Sequence, residues 1–390
     1  MKRVLLTLLF IFSAHLTFAQ YLKLSVYSEV SIVTVGPGEN LYEVFGHSTV
    51  RIKDPVLNFD LAYNYGVFDF SKPGFYSNFA KGKLEYLLAR YPFHNFIRSN
   101  QQDKRWVKEQ VLDLTQEQKQ QFFEFLEHNA KLENAYYLYD PYFNNCATKL
   151  RDISRIILKD SIQLGDEYVS GDDTTLRQLM NNELYWNTWG SLGINIALGT
   201  ILDKKATADQ YLYLPDYVFE AFKKGTIVRD GVEIPIVKKE NDILVFEETE
   251  SSFTFLSPLG VLFLFLFIGI LITYRDLKRK RRSKWFDFTL FFITGVIGIG
   301  IVFLWFFTDH KITPNNFNVL WAFAPNSIIA FYLLKRNPNS LVKKYIWIVQ
   351  IFLAVLVVIW LTGVQLFAIS LIPLLLLLGI RYYYLLTSKE

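Results

Sequence analysis

The chain is 390 residues long, 51% of them hydrophobic and 17% aromatic, and its formal net charge is +4. That length allows two structural units, and so small a net charge gives no indication of nucleic-acid binding. The apolar residues are concentrated towards the C-terminus. This uneven distribution predicts a membrane domain behind an exported one.

The N-terminus has the pattern of a secretory signal peptide. The basic pair Lys2 and Arg3 precedes a short apolar run, and the small residues Thr17 and Ala19 occupy the positions expected of a cleavage site. A retained anchor helix is the alternative, but the apolar run is short for a membrane span. We therefore predict that residues 1–19 are a signal peptide that is removed on export.

Residues 20–252 form the predicted periplasmic domain, which opens with strands. β-Branched residues over 26–35 predict the first strand, and the alternation that follows His47 places this histidine at the start of the second. Residues 59–67 predict a third strand. Apolar residues at helical spacing then predict helical structure over residues 104–130, with an N-terminal boundary at Leu114–Gln118.

Cys146, the only cysteine, stands at the start of a further predicted helix. Leu150 and Ile153 begin its apolar face, and Asn144 or Asn145 is expected to cap its N-terminus. The unpaired N–H groups and the dipole at a helix N-terminus stabilise a thiolate. Because a single cysteine in an exported protein cannot form an internal disulfide, a functional thiol is favoured over a structural one.

The rest of the periplasmic domain carries fewer signals. Residues 170–174 predict a turn, a helix carrying Arg177 follows, and residues 226–250 predict a short hairpin. The sequence has no cluster of cysteines and histidines with metal-ligand spacing and no glycine-rich phosphate loop. We therefore expect neither a metal nor a cofactor.

His47 is the favoured base for the thiol among the five histidines. Gly46 beside it allows another group to approach closely. A third group is expected to orient the imidazole. Asn64 and Asp60, on the next predicted strand, are the choices, with Asp69 a weaker one, and the residues alone do not separate them.

Residues 253–390 form the predicted membrane domain. Basic residues are concentrated in the loops at 275–284 and 335–344, whereas the other two loops hold Lys311 alone and no basic residue. This alternation places the basic loops and the C-terminus in the cytoplasm, so the protein is predicted to cross the inner membrane several times with its N-terminal domain in the periplasm. Five apolar segments have about the length of a span: residues 255–274, 286–307, 317–334, 345–362 and 365–386.

Three motifs resemble a known family. Residues Phe45–Thr49, Tyr63–Phe70 and Asn144–Asp152 together resemble the Lnb-type N-terminal periplasmic domain. The order, with the histidine strand before the cysteine helix, is similar to the circularly permuted papain-like fold of the NlpC and lecithin:retinol acyltransferase group. The membrane domain, with Thr308–His310 and Asn316–Ala322, looks like the transmembrane part that is attached to such domains.

The resemblance implies an α+β, permuted papain-like periplasmic domain followed by an all-α transmembrane domain of five helices. It also implies lipoprotein N-acyltransfer, with Cys146 as the nucleophile, His47 as the base and Asn64 taken as the third group. The thiolate would attack an acyl ester of a phospholipid or lipoprotein and form a thioester. The α-amine of a lipoprotein's lipidated N-terminal cysteine would then take the acyl group.

Five further residues are expected to contact these lipoprotein and phospholipid substrates. Tyr65, Asp69, Asn145 and Arg151 lie in the motifs, and His310 lies in the loop predicted at the outer membrane boundary. His310 is expected to help bind a lipid head group. Aromatic side chains near the motifs would shield the thioester from water, although core packing is their commoner role.

Two other functions compete with acyl transfer. A cell-wall amidase or peptidase would use the same thiol and histidine with water as the acceptor, but such a hydrolase needs only a tether rather than a membrane domain. A non-catalytic membrane protein with an exported binding domain would keep its function when Cys146 is replaced by serine or alanine.

Overall fold

A computed structural model describes residues 22–169, 173–248, 253–335 and 340–388. The predicted signal peptide lies outside these residues, as does most of the turn predicted at 170–174. The N-terminal part mixes strands and helices, and the C-terminal part is helical. The predicted α+β and all-α halves are therefore confirmed.

The strands of the described residues form two antiparallel sheets. Their bounds are β1 Glu29–Val35, β2 His47–Asp54, β3 Phe59–Val67, β4 Glu85–Pro92, β5 Val107–Leu112, β6 Tyr136–Leu138, β7 Ile162–Gln163, β8 Thr226–Arg229, β9 Val232–Pro235 and β10 Val237–Leu244. The larger sheet has the order β10-β5-β1-β2-β3-β4-β6, and the smaller has the order β7-β8-β9. The hairpin predicted within 226–250 is confirmed as β8 and β9.

The longest α-helices that the structure describes lie in the second half of the chain. Their bounds are α1 Phe75–Ala80, α2 Phe93–Gln102, α3 Gln116–Asn129, α4 Leu132–Ala135, α5 Cys146–Leu158, α6 Leu176–Glu183, α7 Trp189–Ala197, α8 Ala208–Tyr211, α9 Pro215–Lys223, α10 Pro258–Arg279, α11 Lys284–Phe306, α12 Asn326–Leu333, α13 Ser340–Leu361 and α14 Ile372–Thr387.

The larger sheet is covered on both faces. One face packs on α3, α5 and α9 through a core that includes Ile32, Ile52, Phe122 and Leu150. The other face packs on α2 through Phe96 and its neighbours. Since burying a side chain of this size contributes roughly 1.5–3 kcal/mol, these layers fix α5 firmly against β2 and β3.

The first three strands agree with the sequence prediction, and the segment at 104–130 does not. β2 begins at His47 and β3 spans Phe59–Val67, as predicted. Residues 107–112, however, form β5, a strand inside the sheet between β10 and β1. The helix starts after Thr115, at the predicted boundary, and the Thr115 hydroxyl accepts the N–H of Gln118 at 3.2 Å. A short apolar run such as that of β5 does not distinguish a strand from a helix turn by spacing alone.

The membrane domain has five α-helices within the described residues, but one of the five predicted spans is wrong. Four helices, α10, α11, α13 and α14, are long and apolar enough to cross a membrane. Residues 317–334 instead divide into a 3-10 turn at Phe317–Leu320 and the short helix α12. Pro325 precedes α12, and its missing N–H and fixed φ prevent one continuous helix through this segment.

Polar contacts cross the predicted boundary between the two domains. Asn316 donates its Nδ2 to the carbonyl of Ile196 at 2.7 Å, so α7 is tied to the loop that follows α11. Arg177, fully buried, pairs with Asp203 at 2.8 Å. Asp203 also accepts the backbone N–H of Leu366, between α13 and α14, at 3.1 Å. The N-terminal domain is therefore bonded to the membrane domain at several points rather than by the chain alone.

Candidate active site

The helix α5 begins at Cys146 because Asn145 caps it. The Asn145 Oδ1 accepts the N–H of Thr148 at 2.9 Å, and the Thr148 hydroxyl accepts the N–H of Asn145 at 2.8 Å. Asn144 is not the cap, because its side chain donates to the carbonyl of Leu138. The cap confirms the predicted helix start, and in the first turn the N–H of Ala147 bonds the thiol.

His47 reaches the thiol from the neighbouring sheet. It is the first residue of β2 and lies opposite Val35 of β1. The preceding Gly46 has a φ of 71°, and a Cβ there would lie 2.8 Å from the carbonyl oxygen of Val35. Only glycine fits this turn into the strand, and the turn delivers the imidazole to Cys146, with which it forms a hydrogen bond.

Asn64 holds the other side of the imidazole. The His47 Nε2 lies 2.5 Å from the Asn64 Oδ1, and the Asn64 Nδ2 donates to the hydroxyl of Tyr91 at 2.7 Å. Because an amide oxygen only accepts, Nε2 carries a proton and the other ring nitrogen, Nδ1, is the one left to face the thiol. Three side chains from β2, β3 and α5 therefore form one hydrogen-bonded group.

The two other choices for the third group are engaged elsewhere. Asp60 accepts two hydrogen bonds from Arg51, at 2.7 and 2.6 Å. Asp69 is exposed and accepts from the backbone and hydroxyl of Ser71. Their side chains are bound to residues outside the thiol–imidazole–amide group.

The electrostatics of the pair favour its charged form. For Cys146, burial raises the pKa, but the charge and hydrogen bond of His47 and the N–H groups of Ser48 and Ala147 outweigh burial and leave the pKa below its ordinary value. For His47, burial lowers the pKa, but the charge and hydrogen bond of Cys146 and the bond to Asn64 leave it above its ordinary value. Thiolate and imidazolium are the forms that a nucleophilic cysteine requires.

Comparison with protein families decides the identity of both halves. Residues 17–182 match the Lnb N-terminal periplasmic domain, and residues 248–390 match the Lnb transmembrane domain. The chain belongs to the Lnb family. No curated protein and no solved structure gives a significant match. This Lnb protein is therefore a membrane protein with a periplasmic N-terminal domain.

Two residues expected to contact substrates, Asn145 and Tyr65, make bonds within the fold of this Lnb protein. Asn145, besides capping α5, donates to the carbonyls of Pro141 and Tyr213. Tyr65 is buried, and its hydroxyl accepts from Asn129 at 3.0 Å. These contacts position α5 and close the core behind the thiol.

Arg151 and His310 lie away from the thiol. The Arg151 guanidinium donates to Asp152 and to the carbonyl of Asp209. His310 follows α11 and donates its Nε2 to the carbonyl of Phe79, in α1, at 3.1 Å. His310 therefore contacts the segment between β3 and β4 rather than the reactive group.

Arg105, which no sequence pattern indicated, is buried at the same end of the sheet as His47. Its Nε donates at 2.8 Å to the carbonyl of Gly36, the residue after the strand partner of His47. Burial lowers the pKa of this guanidinium, which keeps its positive charge. Within the described residues its Nη2 has no hydrogen-bond partner. Strand pairing brings it near the thiolate, so no local motif could have indicated it.

Aromatic rings line one side of the thiol. A Cβ placed on Gly66 would lie 3.9 Å from the Cβ of Cys146 and 3.6 Å from the ring of Tyr139. Tyr139 stacks on Tyr86 with 4.4 Å between ring centroids. Burial raises the pKa of Tyr86 to about 12, so this wall stays uncharged at neutral pH.

Proposed function

We propose that this protein is a membrane-bound lipoprotein N-acyltransferase that carries the acyl group as a thioester on Cys146. The observation that supports this best is the group formed by Cys146, His47 and Asn64, with its charges arranged for a nucleophilic thiolate. Membership of the Lnb family agrees with lipoprotein substrates. The thiol–imidazole–amide group supports transfer of an acyl group through a cysteine nucleophile.

The first step transfers the acyl group to sulfur. The Cys146 thiolate attacks the carbonyl carbon of an acyl ester in a phospholipid or lipoprotein. The new C–S bond forms as the ester C–O bond breaks, and the leaving alkoxide takes the proton that His47 holds at Nδ1. Asn64 keeps the imidazole in place during this transfer, since it binds Nε2.

The second step transfers the acyl group to nitrogen. The α-amine of a lipoprotein's lipidated N-terminal cysteine attacks the thioester carbonyl. The C–N bond forms, the C–S bond breaks, and neutral His47 takes a proton from the amine as the thiolate leaves. The thiolate–imidazolium pair is then restored, and the products are an amide and the free enzyme.

The rival cell-wall hydrolase would use the same three residues with water in place of the amine. Two features favour acyl transfer. The periplasmic domain is bonded to the membrane helices through Asn316 and Asp203 rather than only tethered. Aromatic rings lie beside the thiol, where they limit access of water to a thioester.

The deciding experiment measures the intact mass of a lipoprotein N-terminus from cells that lack the protein. We expect the loss of one acyl chain, with restoration by the wild-type gene and not by Cys146→Ala. Purified wild-type protein given a labelled donor without acceptor should carry a hydroxylamine-sensitive acyl group. Normal acylation in cells that carry only Cys146→Ala would contradict the proposal.

A further inference from the structure

The segment between β3 and β4 exposes an unusual number of aromatic side chains. We call residues 68–82 the aromatic segment. Phe70, Tyr76 and Phe79 are 49%, 72% and 50% exposed, and α1 within the segment has no buried residue. Soluble surfaces rarely expose contiguous apolar patches of this kind unless they bind something.

One end of the aromatic segment is fastened to the membrane domain. The N–H of Asp309, just past the end of α11, donates to the carbonyl of Lys81 at 2.8 Å. His310 donates to the carbonyl of Phe79. Gly82 has a φ of 78°, and a Cβ there would lie 2.6 Å from the nitrogen of His310. The segment therefore sits where a candidate membrane span ends on the periplasmic side.

The other end of the aromatic segment leads to the thiol through ring-to-ring contacts. Phe79 stacks near Phe75, with centroids 6.3 Å apart, and Phe75 lies 6.0 Å from Phe68. Phe68 lies 4.9 Å from Tyr86, which stacks on Tyr139 beside Cys146. An unbroken row of aromatic rings thus joins the membrane boundary to the reactive sulfur.

A second apolar wall faces this row. Tyr42 makes edge contacts with Phe68 and Phe70, at 5.7 and 6.3 Å between centroids. The adjacent Leu41 packs directly on Gly190 of α7. Since α7 is itself packed on the membrane helices, this second wall is continuous with the membrane domain.

We propose that this row of rings binds the fatty acyl chain of the donor lipid, with the ester at Cys146 and the chain running along the aromatic segment towards the membrane. The position of the ester rests on the proposed function, whereas binding of the chain does not require the chemical step. Apolar, aromatic walls suit an acyl chain. Phospholipids and lipoproteins both carry such a chain, and the experiment distinguishes them.

Photocrosslinking tests the location of the chain directly. Full-length Cys146→Ala protein in phospholipid nanodiscs would receive phosphatidylethanolamine with a diazirine in one acyl chain, or a diacylated lipopeptide carrying the same chain. We expect peptide mass spectrometry to place the label on residues 68–82 in at least one arm, and that arm identifies the source. Label confined to α10–α14 in both arms would overturn the proposal. Failure of the wild-type protein to form a thioester would leave this readout intact and would count against the proposed function alone.

A substitution provides the second test. Phe79→Asp should slow thioester formation from a long-chain phospholipid by about tenfold, the loss expected for one apolar ring contact, and should leave the rate with a short butyryl ester unchanged. Tyr27→Asp is the matched control, because Tyr27 is 70% exposed just before β1, at the end of that strand away from His47. Equal losses with both esters, or no loss, would overturn the acyl-chain site.

Discussion

The electrostatic environment of Cys146 depends on neighbours that come from separate elements. The imidazole of His47 belongs to β2, one N–H donor belongs to Ser48 of the same strand, and the other belongs to Ala147 of α5. Without the imidazolium, burial would dominate and would raise the pKa of the thiol. The charge on the sulfur is therefore a property of how the sheet and the helix meet.

The first prediction concerns the charge on the sulfur. Because the pKa of Cys146 lies below its ordinary value, the ultraviolet absorbance of a thiolate should be present at pH values below the usual cysteine pKa of about 8.5. It should disappear as the pH falls through the lowered pKa. In His47→Ala the absorbance should appear only at higher pH. Cys146→Ala gives the baseline, since the chain has one cysteine, and an unchanged titration in His47→Ala would rule out the pair.

The pH dependence of thioester formation follows from the lowered pKa of Cys146 and the raised pKa of His47. The rate should rise as the pH passes the lowered pKa of Cys146 and fall as it passes the raised pKa of His47, because the leaving group needs the imidazolium proton. A plateau between these limits is expected from initial rates measured across pH. A rate that follows the titration of an unperturbed thiol would contradict this assignment.

The role of Asn64 is tested by comparison with Asp60, which lies on the same strand. Asn64→Ala frees the His47 Nε2 and should reduce the rate of thioester formation by about 10–100-fold, with the basic limb of the pH profile moved to lower pH. Asp60→Asn is the control: it weakens the ion pair with Arg51 and should lower Tm while keeping the pH profile. Equal effects of the two substitutions on the pH profile would show that Asn64 does not position the His47 imidazole.

At the scale of the element, the start of α5 is the most tightly specified feature of the site. Asn145 uses its oxygen for the helix cap and its nitrogen for two backbone carbonyls, so one side chain joins the helix to two neighbouring loops. Losing a cap costs about 1 kcal/mol, and the buried carbonyls left unpaired add to this cost.

Asn145→Ala should therefore destabilise the periplasmic domain by about 2–4 kcal/mol. Asn144→Ala, which removes a single exposed bond to Leu138, should have a much smaller effect. Thermal unfolding of the two full-length variants compares them, and similar losses of stability would show that the Asn145 bonds matter less than their geometry indicates.

Local signals predicted the elements that carry the reactive residues, and pairing between distant segments explains what they missed. The helix cap at Asn145 and the alternation after His47 depend only on residues adjacent in sequence, so the starts of α5 and β2 were predictable. The choice of Asn64 over Asp60 and the position of Arg105 depend on register and sheet order. The strand at 107–112 was missed for the same reason, since only its neighbours β10 and β1 make it a strand.

At the scale of the whole molecule, the two domains behave as one unit through their junction. Buried Arg177 binds Asp203 and the carbonyls of Leu198 and Gly199, and Asp203 reaches the membrane domain at Leu366. Buried ion pairs hold their geometry strictly because an unpaired partner costs several kcal/mol. This junction fixes which face of the periplasmic domain is turned to the membrane.

The topology can be tested with introduced cysteines in a Cys146→Ala background. Arg281 and Asn315 are both exposed and stand at opposite ends of α11. The loop charges predict that Arg281→Cys is cytoplasmic and Asn315→Cys is periplasmic. An impermeant thiol reagent applied to intact cells should label only the second. Labelling of Arg281→Cys under these conditions would show that the predicted orientation is wrong.

A junction bonded in this way holds the thiol at a fixed distance from the ends of the membrane helices. A domain joined to membrane helices only by a flexible chain can approach the bilayer, whereas under the proposed function the acyl chain here has to leave the hydrocarbon to reach the thiol. Each methylene that leaves the hydrocarbon costs about 0.8 kcal/mol unless protein covers it. The bonded junction thereby sets a free-energy cost for each chain that leaves the bilayer, and the proposed acyl-chain site on the aromatic segment would lower this cost by covering the chain.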